Sequence, residues 1–83
     1  MDPVQLYNLL AIKPFQPVRV HLKDGRTYDI RSRQLAIVGK TWLDIGIPAP
    51  GEMRPIYDEL ITVPLEQIDH VEHLPPTERA AAP

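Results

Sequence analysis

Asp69, His70, Glu72 and His73 form the densest cluster of groups in this chain that could bind a metal or move a proton. On a helix His70 and His73 would share a face; in a strand they point to opposite sides. Val71 and Leu74 favour a strand, and no third, distant ligand is evident, so both histidines are expected to be surface residues and no metal is assigned. Ser32, the only serine, lies between Arg31 and Arg33 rather than in a G-x-S-x-G turn, and no base is discernible beside it. Asp58-Glu59 and Glu66 with Asp69 are carboxylate pairs of the kind acid–base catalysis uses, but any acidic strand edge yields such pairs. The four glycines are isolated and build no phosphate-cradling loop. Cysteine is absent, which removes thiolate nucleophiles, thiolate zinc sites and disulfides. The expectation is a chain without catalytic residues, cofactor or metal.

Two surfaces remain as candidates. Arg19, His21, Lys23, Arg31 and Arg33 are a candidate phosphate or nucleic-acid surface. They fall in a stretch, residues 13–40, whose net charge is +5, whereas residues 41–74 carry −6 and the whole chain −2. Such asymmetry suits a phosphate-binding patch, or two halves that neutralise each other across a sheet or between copies. Asp29 sits among the basic residues, and no aromatic residues alternate with them as base-stacking platforms would. The second candidate is the Leu35, Ile37, Trp42 face. Either the N-terminal helix covers it as core, or it meets a protein partner through its aromatic anchor.

The elements that must position these residues follow from periodicity. Asp2-Pro3 opens a helix, with Asp as cap, Pro at the first helical position and Gln5 placed for a capping box. Val4, Leu6, Tyr7, Leu9, Leu10 and Ile12 form its apolar stripe, and Pro14 turns Lys13 out of helical geometry. A helix of this length does not persist alone and must lie on something. From Val18 the period becomes two. A three-residue Lys23-Asp24-Gly25 loop sets Val20 opposite Tyr28, Val18 opposite Ile30 and Arg19 opposite Asp29, with Gly25 left-handed. A two-residue loop would mix the faces.

Leu35–Val38 and Trp42–Ile47 read as a second hairpin around a two-residue Gly39-Lys40 turn, with Leu43, Ile45 and Ile47 on one face and Ile37 beside Trp42 on the other. Residues 48–55 are a Pro-rich loop, 56–63 a strand containing Leu60 and Ile61, 64–67 a single helical turn, and 68–74 a last strand.

Ten prolines in 83 residues exclude long uninterrupted helices, and 43% hydrophobic with 24% charged residues describes a globular domain. One domain over residues 1–74 is expected, with residues 75–83 as a loosely held Pro/Ala tail. Apolar runs are far too short to cross a bilayer, so no membrane partner is expected and a cytoplasmic location is the default. The fold class expected is mainly β (α+β): a short N-terminal helix, then a five- or six-stranded, strongly bent antiparallel sheet or small SH3-like or Sm-like barrel.

The stretch KPFQPVRVHLKDGRTYDI, preceded by a short helix and followed by LITVPLEQIDHVEHL, resembles a family of small bacterial single-domain proteins of about this length. The shared features are a Pro-Phe-x-Pro entry into the first strand (Pro14, Phe15, Pro17) and an Asp-Gly-Arg turn (Asp24, Gly25, Arg26). The resemblance brings no established activity. The first hairpin also resembles the opening of Sm-like proteins, which form RNA-binding rings. No glycine follows Tyr28, however, and neither an Asp-x-x-x-Asn loop nor a late Arg-Gly segment is present. Ring formation and RNA binding are therefore not carried over. The expected function is a non-catalytic interaction module that binds a protein or its own copy. The alternative is a divergent Sm-like nucleic-acid binder; no small-molecule substrate is evident.

Overall fold

The computed structural model describes residues 1–75; the expected tail, apart from Pro75, lies outside the described residues. Helix α1 spans Pro3–Leu10 and is followed by strands β1 (Val18–Leu22), β2 (Thr27–Ile30), β3 (Ala36–Val38), β4 (Trp42–Pro48), β5 (Tyr57–Pro64) and β6 (Ile68–His73). Single 3₁₀ turns at Arg33–Leu35 and Leu65–Gln67 precede β3 and β6. Asp2 caps α1 as the sequence demands: its carboxylate accepts the Val4 amide at 3.4 Å, and Pro3 follows.

The strands form two antiparallel sheets, β2-β1-β6 and β3-β4-β5. This corrects the expectation of one bent sheet or barrel: the six strands are not closed into a barrel. Each 3₁₀ turn lies where the chain passes from one sheet to the other, and i→i+3 bonding there replaces the cross-strand ladder.

The first hairpin has the expected register. Val18 faces Ile30, Arg19 faces Asp29 and Val20 faces Tyr28, while the Leu22 amide bonds Arg26 O around the three-residue loop. Gly25 has φ +93°, a conformation that L side chains rarely adopt. The second hairpin is shifted from the expected one. Its turn is Lys40-Thr41, because Gly39 pairs with Trp42 and Ile37 lies opposite Asp44.

Alternation decides what is buried. Val18, Val20 and Leu22 point inward, with Ile30, Leu43, Ile45 and Val63 meeting them from the other strands. Leu6 and Leu10 of α1, Leu65 and Ile68 complete the core. Each such side chain removed from water contributes about 1.5–3 kcal/mol before entropy is counted. Only Leu6 and Leu10 of the helix stripe are buried; Val4 and Tyr7 remain in solvent.

Candidate functional site

The outward face of β2-β1-β6 carries most of the expected basic surface, and there cations and carboxylates alternate. Asp29 (β2), Arg19 (β1) and Glu72 (β6) form one cross-strand row; Thr27, His21 and His70 form the next. Arg19 donates to both oxygens of Asp29, at 2.8 and 3.1 Å, and Arg31 reaches the same carboxylate at 3.3 Å. His21 Nε2 donates to Glu72 Oε1 at 2.6 Å. The His21 ring stacks on His70, with centroids 4.2 Å apart, and His70 Nδ1 lies 2.8 Å from Asp69. The electrostatics agree with this geometry. The hydrogen bonds from Arg19, helped by its charge and that of Arg31, hold the Asp29 carboxyl below its ordinary range, against partial burial. The bond from His21 does the same to Glu72.

Lys23 and Arg33 lie away from this cluster. Lys23 occupies the β1–β2 turn, where its amide bonds Gln67 O at 2.9 Å. Arg33 sits over the Tyr7 ring, 5.5 Å from its centroid, and donates to Ala36 O at 2.8 Å, so it ties α1 to the start of β3. The five basic candidates are thus divided between a carboxylate-paired sheet face, a turn and a helix contact.

His70 and His73 diverge as expected for a strand, which corrects the expectation that both are surface residues. His70 shares the outer face with His21, whereas His73 lies opposite Val18, with Nε2 buried and unbonded. Among the described residues, no group of three His, Cys, Asp or Glu could hold a metal ion.

The outward face of β3-β4-β5 is different in kind. Ile37 is 56% exposed, Trp42 38% and Leu60 47%, so α1 does not cover the candidate interface. Ile37 lies opposite Asp44, two residues along β4 from Trp42, so the two apolar side chains are diagonal neighbours. Gly46 lies opposite Leu60, and Thr62 donates its hydroxyl hydrogen to Asp44 between the apolar groups. Leu35 corrects the expectation. It is 5% exposed, because Gly46 has no side chain there: a Cβ on Gly46 would lie 3.0 Å from Leu35 Cδ2 and 3.1 Å from Tyr57 Cβ. Leu35 fills the outer face at one end instead of presenting itself to a partner.

Leu60, Tyr57, Val4 and Tyr7 are exposed apolar residues that the sequence reading left out of the candidate surface. A signal for Leu60 existed in the adjacent Leu60-Ile61 pair, since two successive large apolar residues in a strand must occupy opposite faces.

The fold and these faces define a small α+β domain of two three-stranded antiparallel sheets, one with an ion-paired outer face and one with an apolar outer face. Compared with family models, curated proteins and solved structures, the chain finds no match. No helix among the described residues is long and apolar enough to cross a membrane.

Proposed function

We propose that this chain is a non-catalytic interaction module that engages a protein, its own copy included, through the outward side of β3-β4-β5. The observation that carries this reading is the exposure of Ile37 beside its diagonal neighbour Trp42 on one sheet face, with Leu60 exposed farther along that face beyond the Asp44–Thr62 pair. Apolar groups clustered around an aromatic anchor favour protein contact, whereas scattered ones need no explanation. Nucleic-acid binding through Arg19, His21, Lys23, Arg31 and Arg33 has less support. Asp29 occupies Arg19 and Arg31, Glu72 occupies His21, and Arg33 is engaged with α1.

The test is site-specific photo-crosslinking in cells that express the full chain. A photo-reactive residue at position 37 should give discrete protein adducts, and one at position 70, on the ion-paired face, should not. Equal labelling from both positions, or none from position 37, refutes the reading. The nucleic-acid alternative predicts binding to single-stranded RNA or DNA that strengthens steeply as salt is lowered.

A further inference from the structure

Each sheet leaves its outer strands without a hydrogen-bonded strand neighbour among the described residues, so four edges are unpaired: β2, β6, β3 and β5. Beside β5, Arg26, Tyr28 and Gln67 line a small cleft with Ile61–Pro64. Three of the four edges are blunted in familiar ways. β3 has three residues and β2 four. β6 carries Asp69 and Glu72, and its pairing with β1 is broken by a register shift opposite His21 and Leu22. β5 is the longest of the four, with eight residues. Its own acidic pair, Asp58 and Glu59, and its register shift opposite Ile47 and Pro48 lie toward its start, and its pairing with β4 is regular from Glu59 to Pro64.

Which groups β5 offers can be worked out from the hairpin. The Gly39 amide bonds Trp42 O, so the backbone groups of Trp42 point to β3. The Leu65 amide bonds Thr41 O, so Thr41 points the other way. Alternation then aims Leu43, Ile45 and Ile47 at β5, where they meet Val63, Ile61 and Glu59. Leu60 and Thr62 must therefore direct both N–H and C=O away from β4, to the open edge. Pro64 comes next in that row and has no N–H, so a paired partner would end there.

We infer that two copies of the chain join antiparallel along β5, about a two-fold axis at Ile61, with Leu60 of each copy opposite Thr62 of the other. This deepens the interaction-module reading and rests on it, naming a second copy as the partner. The register uses every outward amide of Leu60 and Thr62, giving four N–H···O=C bonds across the axis. It also sets Glu59 opposite Val63 and Asp58 opposite Pro64, so the acidic residues never face each other. Pairing β5 with the β6 edge of another copy would instead bring Asp58 and Glu59 to the edge that carries Asp69 and Glu72. An isologous contact closes on itself and leaves no β5 edge to propagate; the outer edges of the joined sheet are the two three-residue β3 strands. The product is a six-stranded sheet with Leu60 beside Thr62 of the other copy on the apolar face.

The experiment combines sedimentation with residue-resolved amide exchange on the full chain, from low to high micromolar concentration. The mass should rise twofold from 9.4 kDa. The Leu60 and Thr62 amides should become at least tenfold slower to exchange as it does, while Ile61 and Val63, already bonded to β4, stay unchanged. Thr62→Pro removes an outward donor and the hydroxyl bond to Asp44, leaves the backbone ladder to β4 intact, and should hold the protein at the single-chain mass. An invariant 9.4 kDa mass overturns the inference, as does a larger assembly whose formation leaves Leu60 and Thr62 exchange unaltered. Association that survives Thr62→Pro but is lost in Ile37→Glu also overturns it, and leaves the docking face in place. The exchange readout uses wild-type protein, so it decides the matter even if the proline variant does not fold.

Discussion

The indole of Trp42 rests on Gly39: a Cβ built on that glycine would come within 2.2 Å of Cε2 and 2.5 Å of Cδ2. The two residues are cross-strand neighbours at the end of the β3–β4 hairpin, and Gly39 does not have positive φ. The glycine is there for space and not for the turn. It lets a large aromatic side chain lie along the sheet, half-exposed, beside Ile37.

Gly39→Ala should therefore displace the indole without altering backbone conformation. The cost is that of overpacking, about 1–3 kcal/mol. Trp42 is the only tryptophan, so fluorescence reports on it directly. The emission maximum should move to longer wavelength and the denaturant midpoint should fall. Unchanged emission would mean that the ring moves aside over the sheet without gaining exposure to water.

Gly25 is a glycine of the opposite type. No atom lies within 4 Å of a Cβ placed there, yet its φ of +93° is unfavourable for an L side chain. Gly25→Ala should cost about 1–2 kcal/mol through backbone strain alone. Gly25→Asn should recover part of that, since Asn tolerates left-handed geometry better. Thermal unfolding of the two variants beside wild type checks the order.

The contrast between these glycines shows what could be read in advance. The first hairpin was legible because alternation, a one-residue register test and the demand for a left-handed residue all point to one loop. The second was not, because a glycine in sequence does not reveal whether it serves a turn or a neighbour's ring. The same limit hid Leu35, whose place on the outer face was legible but whose burial depends on Gly46, eleven residues away. The Arg19–Asp29 pairing followed from register. The His21–Glu72 bond did not, since it joins residues 51 apart through β1–β6 pairing.

Leu43 is fully buried between the sheets, opposite Val63. Leu43→Ala should cost about 2–5 kcal/mol, transfer and cavity terms together. A single small core supplies only about 3–5 kcal/mol of margin, so the variant should be largely unfolded by circular dichroism at room temperature. Ile37→Ala, on the exposed face of the same sheet, should stay within about 0.5 kcal/mol of wild type. Chemical denaturation of both separates core from surface within one hairpin.

Asp29 gives the fold a pH dependence whose sign is fixed. Bonds from Arg19 lower its carboxyl below the value it has in the unfolded chain, so the unfolded state holds more protons across that window. The contribution to stability is complete above the ordinary carboxylate range and is lost as pH falls through the lowered folded value. Arg19 is about a third exposed, so the pair is worth no more than about 1 kcal/mol. Asp29→Asn removes it and leaves Arg19 its other cross-strand neighbour, Glu72. Wild type should exceed the variant in stability at neutral pH, and the two curves should converge as acid protonates Asp29. A constant gap across the titration would show that the Asp29 contribution is steric or hydrogen-bonded in a charge-independent way. Added salt should narrow the neutral-pH gap only in part, since Asp29 itself is mostly shielded from solvent.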